Sequence, residues 1–459
     1  MNAPLRPPSA RLLVWTLAGA LSVPTVAGAA PPAATTAQTP AGQVPAAGEP
    51  LTLERAVTLA QERNEQALAA GERANGANAR VSRARSFFFP ELTVTGTYTR
   101  RLRETTREVG GEQVVLQKRD ALDAVANARM ALFDARGFPL YRAAKLDGRA
   151  AGLEARDVRR LVGFEAADAF LTTLNAQQVL SAAEQRLAFA QKSLADARAR
   201  AEGGLASTND VTRAELELAN AEVELADAKG NADQSLLELG YLLVSPVQRT
   251  LAVPMALLEA AQRASPDVAP QLDEALARRL DLAAQRDRVA ALQASAREPF
   301  ARLLPSLGLS GNFFWTDEPG LNGRPTDGFL ALDLTWELFD GGERYAERRE
   351  RLALARAGRL ELDATTRRVE VDLSQAQVGL SRARASLQQG ELAVKVARRN
   401  VEETGELYRQ GLASALAVSD ANLRLFEAEV SLARARYGLG LALLDLRAAL
   451  GLDPLGKEP

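Results

Sequence analysis

The chain has 459 residues, 56 Lys and Arg against 58 Asp and Glu, and neither Cys nor His. This excludes disulfides, thiolate or imidazole metal sites, Ser-His-Asp and Cys-His chemistry, and lipid attachment through cysteine. A net charge of −2 leaves no electrostatic footprint for nucleic acid, and a hydrophobic fraction of 47% is enough for a core.

Residues 1–29 read as an export signal. Arg6 and Arg11 form its positive region, an apolar run extends from Leu12 to Val23, and Ala27-Gly28-Ala29 has the small residues of a cleavage site. The apolar run is short of the roughly 20 residues that span a bilayer. Residues 30–50, rich in Pro and Ala, read as a disordered spacer. The rest divides into a first repeat over 51–245, a joining stretch over 246–270, a second repeat over 271–452 and a tail over 453–459.

Each repeat changes period along its length. In the first, Leu92, Val94, Gly96 and Tyr98 alternate with threonines, and Leu122 to Leu132 show the same period of two. In the second, Leu307, Leu309, Phe313 and Trp315 alternate, as do Leu330, Leu332, Leu334, Trp336 and Leu338. Each repeat therefore carries one hairpin, with Gly110-Gly111 at one tip and a Pro/Gly loop over 317–328 at the other. One apolar and one polar face fits a transmembrane barrel strand and equally a half-buried soluble sheet. Of 22 aromatic residues after Trp15, 14 fall within 87–141 and 313–345. An aromatic girdle would place them so, and a soluble sheet also attracts aromatics.

The rest is helical. No Pro occurs from 140 to 245 or from 326 to 453. A heptad spacing of apolar and small residues runs from Val162 to Ala201, and again from Val369 to Tyr408. The first helix, about 142–202, would be roughly 90 Å long at ~1.5 Å per residue. Each long helix ends in a tight turn, Gly203-Gly204-Leu205-Ala206-Ser207 or Gly411-Leu412-Ala413-Ser414, followed by an antiparallel partner. Gly supplies a left-handed residue and Ser a helix cap.

The two repeats are copies. Residues 204–229 and 411–436 share 14 of 26 positions, and Leu132-Phe133-Asp134 recurs as Leu338-Phe339-Asp340. Four strands cannot close a barrel, and an open sheet facing lipid leaves unpaired edges. Either the sheet is covered and soluble, or chains pool their strands; three chains would give twelve. The rival class is a periplasmic coiled-coil scaffold that never enters a membrane. An enzyme fits least, because no nucleophile–base pair is available.

From about 51 to 452 the chain resembles the TolC-like outer membrane factor family of export channels. The resemblance rests on the duplicated Gly-x-x-Ser turn with its Ala/Leu heptads, the Leu-x-Trp-x-Leu-Phe-Asp-Gly-Gly run at 334–342, and the opening pattern at 51–64 with its partner at 272–281. It implies a mainly α fold with a transmembrane β-barrel: a homotrimer with four strands per protomer, a 12-stranded barrel and a tunnel of long antiparallel coiled-coil helices. It further implies an outer membrane exit duct for a tripartite efflux pump or type I secretion system, without cofactor. The partners would be outer membrane lipid, a periplasmic adaptor and an inner-membrane transporter.

By the same resemblance the helical turns are the periplasmic tip, with Gly204, Leu205, Ser207, Gly411, Leu412 and Ser414 meeting the adaptor. The family's first-half Asp is Asp210 and its Tyr before the second Gly is Tyr408, a pair that links to hold the tip shut. Ala417 and Ala413 stand where a second acidic residue and a locking Arg would be. Asp420, tripled by symmetry, would place a carboxylate ring at the pore mouth. Plainer roles exist beside these: turn geometry for the Gly and Ser residues, helix capping for Asp210, a helix-start position for Asp420, and seam packing for Tyr408.

Overall fold

The structure is a computed structural model that describes residues 50–458 apart from 110–111, 205, 264–267 and 319–323. The export signal, nearly all of the spacer, the Gly110-Gly111 tip and Leu205 lie outside the described residues.

Two helices open the described residues, α1 (Leu53–Arg63) and α2 (Glu65–Ser86). Asn64 breaks them apart: its Oδ1 accepts from Gln66 N at 2.9 Å to start α2, while its Nδ2 donates to the Leu242 carbonyl at 3.2 Å. Strands β1 (Glu91–Arg100), β2 (Thr105–Val109), β3 (Glu112–Gln117) and β4 (Asp120–Phe133) follow. The 66-residue α3 (Gly137–Glu202) returns through α4 (Thr208–Leu243). At ~1.5 Å per residue α3 is about 100 Å long, more than an ordinary compact domain spans.

The second repeat rebuilds this plan. It comprises α6 (Val268–Arg278), α7 (Leu280–Ser295), the short α8 (Glu298–Ala301), β5 (Ser306–Thr316), β6 (Thr326–Thr335), the 67-residue α9 (Glu343–Arg409) and α10 (Ala415–Ala449). Between the repeats, α5 (Met255–Gln262) buries Leu257, Leu258 and Ala261. Through α5 the joining stretch packs into the helical body.

Both long helices bury the heptad positions. On α3 these are Val162, Ala166, Thr173, Ala183, Ala190, Leu194 and Ala197; on α9 they are Val369, Leu373, Leu380, Leu387 and Val394. Small residues let the helices approach closely. A Cβ on Gly390 of α9 would stand 3.3 Å from the Leu432 Cα of α10. The main core gathers where α1, α3, α4, α5, α9 and α10 meet, around Val57, Phe170, Leu171, Leu239, Leu380 and Leu439. Among the described residues no helix is long and apolar enough to cross a membrane.

The sheet runs β1-β4-β5-β6, antiparallel throughout, with β1 and β6 as open edges. Three element bounds differ from the sequence reading. The long helix begins at Gly137, not near 142. Strand β6 stops at Thr335, and Trp336 leaves the ladder to donate its indole N–H to the Leu303 carbonyl at 3.1 Å. The chain between β1 and β4 forms a separate two-stranded ribbon, β2–β3. Its Thr/Val and Glu/Val pattern is too short and too charged to read as strand from period alone.

Candidate functional site: sheet wall and helical tip

The register shows which side chains share a face. Leu92 pairs with Ala128, Val94 with Ala126, Gly96 with Ala124 and Tyr98 with Leu122. Ala124, Ala126, Ala128 and Met130 then pair with Trp315, Phe313, Gly311 and Leu309, and Leu309 and Gly311 with Leu332 and Leu330. One face of all four strands is therefore apolar, and it is uncovered in the single chain: Leu330 is 81% exposed and Leu92 72%. The other face is mainly polar, with Thr93, Thr95, Thr97, Asn127, Ser310, Asn312 and Asp333 beside Val125, Phe314 and Phe329. Across it Asn312 Nδ2 donates to Asn127 Oδ1 at 2.8 Å and Ser310 Oγ to Asp333 Oδ2 at 2.6 Å. Lipid on one side and water on the other demand this division.

The repeated Leu-Phe-Asp marks where sheet becomes helix. Asp340 Oδ1 accepts from Gly342 N at 3.0 Å, and Oδ2 accepts from Arg344 N at 3.0 Å and Arg344 Nε at 2.7 Å. Burial opposes the charge, but these donors prevail and hold the carboxyl at about 2, below its ordinary value. Arg344, 2% exposed, also donates to the Glu337 carbonyl at 3.1 Å. In the first repeat Asp134 accepts from Arg136 N at 2.9 Å and from its guanidinium at 2.6 Å. Burial again opposes, and the Arg136 donors again pull the carboxyl below its usual value. Sequence reading found this motif as a repeat marker and missed its work as a paired helix start.

At the opposite end, α3 and α9 stop on left-handed glycines, Gly204 at φ +70° and Gly411 at φ +78°. No atom lies within 4 Å of a Cβ built on either. Leu412 N donates to the Leu407 carbonyl at 2.8 Å, closing the end of α9. Ser207 and Asp210 form a reciprocal capping box: Asp210 N donates to Ser207 Oγ at 3.2 Å, and Ser207 N to Asp210 Oδ2 at 3.1 Å. Ser414 accepts from Ala417 N at 3.3 Å, with no acidic residue to reciprocate. Leu412 stands 73% exposed.

The structure brings some of these residues together and leaves others apart. Within one chain Asp210 is engaged by Ser207, whose Oγ donates to Asp210 Oδ2 at 2.9 Å. Tyr408 lies under Arg200, whose guanidinium carbon is 4.2 Å from the ring centre and whose Nη1 donates to the Tyr408 carbonyl at 3.3 Å. No described hydrogen bond joins Tyr408 to Asp210 in the protomer. Asp420 is exposed and pairs with Arg424 one turn on, at 3.8 Å. Arg200 was not legible as a partner from sequence; its aromatic lies 208 residues away on another helix. Among the described residues no group of three or more acidic side chains is placed to hold a metal.

A two-faced four-stranded sheet with open edges, set on helices about 100 Å long, defines an outer membrane channel subunit. The chain belongs to the outer membrane efflux protein family, which it matches over residues 56–243 and 271–452. It is 24% identical over 398 residues to outer membrane protein TolC of Vibrio cholerae, covering 85% of this chain and 89% of that one. Its fold is similar to that of the outer membrane protein VceC from Vibrio cholerae, with a TM-score of 0.72 and 18% identity over 87% of this chain and 96% of VceC. It is also similar to the Neisseria gonorrhoeae MtrE outer membrane channel, solved in its open state, with a TM-score of 0.72 and 17% identity over 87% of this chain and 89% of MtrE. These likenesses favour the channel over a scaffold that stays out of the membrane.

Proposed function

We propose that three copies of this chain pool their strands into a 12-stranded outer membrane barrel and their helices into a periplasmic duct. The duct is the exit of a tripartite efflux pump or type I secretion system, fed by an inner-membrane transporter through a periplasmic adaptor. The observation that carries this reading is the apolar face continuous over β1, β4, β5 and β6 beside two unpaired edges. A lone sheet of this kind is unstable in lipid, and closure by copies removes both edges. The adaptor docks at Gly204, Leu205, Ser207, Gly411, Leu412 and Ser414, where Leu412 presents apolar surface at the tip. Asp210, Tyr408 and Asp420 belong to the gate region, with any Tyr408–Asp210 link made between neighbouring subunits.

The chain has no cysteine of its own, so introduced pairs report cleanly. Cysteines scanned over β1 (91–99) against β6 (327–335) should yield disulfide-linked trimers from outer membranes. Crosslinks confined to monomers, or protein released by carbonate, would refute the shared barrel.

A further inference from the structure

The helices nearest the sheet form one layer in the order α2, α3, α7 and α9, and its two sides differ in charge. The polar face of the strands marks the inner side. Arg83 of α2 lines one groove there with Glu91, Arg129, Ser310 and Asp333. Asp147 of α3 lies toward Arg80, one turn before Arg83, and toward Arg288 of α7, which also pairs with Glu154. Cations and carboxylates are mixed on this side.

The outer side is basic. At ~100° per residue, Phe138, Arg142, Lys145 and Arg149 stand roughly 140–180° round α3 from Asp147, below the sheet's apolar face. Arg149 meets Asp287 of α7 there, beside a groove that Arg156 and Arg286 also line. Helix α9 runs antiparallel to α7 and meets it through Arg351 and Gly358. Its turn then puts Tyr345, Arg348, Arg349 and Arg356 on the outer side and Glu343, Glu350 and Glu361 on the inner one. Among the described residues no carboxylate pairs with Arg142, Lys145, Arg348 or Arg349. The Arg348 guanidinium carbon lies 3.7 Å from the Phe300 ring centre.

Depth points the same way. Phe138 and Tyr345, 59% and 52% exposed, open α3 and α9 on the outer side. Exposed aromatics beside a lipid-facing wall sit at headgroup level. The four cations follow about 5–10 Å farther along each helix, a span that reaches through the headgroup layer. The positive ends of α3 and α9 reinforce them.

We propose that this outer collar binds the phosphates of anionic phospholipids in the leaflet that meets the helices, and so fixes the height of the channel in the membrane. This rests on the channel reading and adds to it a lipid class and the side chains that select it.

Tryptophan quenching by brominated lipid tests the collar. The chain has three tryptophans. Trp15→Phe with Trp315→Phe leaves Trp336, 60% exposed just past β6 at the helical end of the sheet; Trp15→Phe with Trp336→Phe leaves Trp315 at the far end of β5. The full chain is folded into phosphatidylcholine vesicles that hold brominated phosphatidylglycerol or brominated phosphatidylcholine. Phosphatidylglycerol should be enriched about fivefold at Trp336 and not at Trp315. Arg142→Gln, Lys145→Gln and Arg349→Gln together should remove most of the enrichment, whereas Arg83→Gln, on the inner side, should leave it. A check that needs no variant of the collar is salt: about 0.5 M NaCl should weaken the enrichment. Equal quenching by the two lipids at Trp336, the same enrichment at Trp315, an unaffected triple variant, a loss with Arg83→Gln, or indifference to salt would each overturn the proposal. If neither tryptophan is quenched by either lipid, the channel reading fails and the collar with it; if both are quenched without preference, the collar alone fails.

Discussion

Asp340 and Arg344 are bound twice over: one carboxylate oxygen takes both the backbone N–H and the Nε of the same arginine, at 3.0 and 2.7 Å. Asp340 ends the sheet and starts α9, and Arg344 ties that start to the Glu337 carbonyl and, at 3.5 Å, to the Arg302 carbonyl. This ion pair joins the Arg302–Glu347 and Arg351–Glu298 pairs in orienting the long helix beneath its strand.

The pair has a pH signature. A carboxyl held at about 2 in the folded chain and titrating near 3.8 when unfolded favours folding above pH 4. That contribution fades as pH falls from about 4 through 2. Asp340→Asn should lower the melting temperature at pH 7 and flatten its fall between pH 4 and 2. Thermal melts at a series of pH values check this, and an equally steep acid fall in the variant would refute it.

The glycines at the tip make a separate case. Gly204 and Gly411 have room for a side chain, so backbone strain alone opposes one. Gly411→Ala should cost about 1 kcal/mol, whereas Gly411→Asn should cost less because Asn tolerates the left-handed region. Melting temperatures of the two variants decide it; equal losses would mean that the turn does not keep its left-handed residue.

How much of this was legible beforehand divides by range. The heptads of α3 and α9 were readable because burial on a rod follows sequence spacing, and Val369, Leu373 and Leu380 fall on the seam that spacing predicts. The sheet faces were readable because a period of two leaves no choice of side once one residue is set. The Arg200 partner of Tyr408 was not. It depends on how two hairpins lie against each other, and no local pattern in α3 records that an aromatic on α9 will meet it. Asp210 could be read as a cap or as a lock; the Ser207 three residues before it favours the cap.

That cap gives an asymmetry between the repeats. Ser207 has the reciprocal Asp210, and Ser414 has Ala417 in the corresponding place. Ser207→Ala should cost about 1 kcal/mol at the start of α4, and Ser414→Ala less at the start of α10. Hydrogen exchange of the first-turn amides would show it: fraying should increase more at 208–211 than at 415–418.

A ring of Asp420 carboxylates at the pore mouth would favour cations, and Arg424 on the same helix would temper it. Arg424 stands 3.8 Å from Asp420 and 3.1 Å from Glu427, so it is shared between two exposed carboxylates and offsets Asp420 only in part. Arg424→Ala should increase cation selectivity and divalent block, and Asp420→Ala should reduce both. Reversal potentials under a salt gradient measure the first and current block by a divalent cation the second. If Asp420→Ala leaves both unchanged, this residue does not line the pore mouth.

The sheet itself supplies the sharpest contrast, between neighbours one residue apart. Leu330 stands on the apolar face and Ala331 on the opposite one, next to Ser310 in register. In a barrel formed by several copies, Leu330 meets lipid and Ala331 meets the water-filled interior. Leu330→Arg should destabilise the inserted protein by about 2–4 kcal/mol if it lies near the bilayer midplane, while Ala331→Arg should insert normally and alter conductance. Folding into lipid vesicles, followed by heat-modifiable gel mobility, measures the first, and bilayer recording the second. Equal effects at both positions would mean that the two faces meet the same medium, and a barrel wall cannot satisfy that.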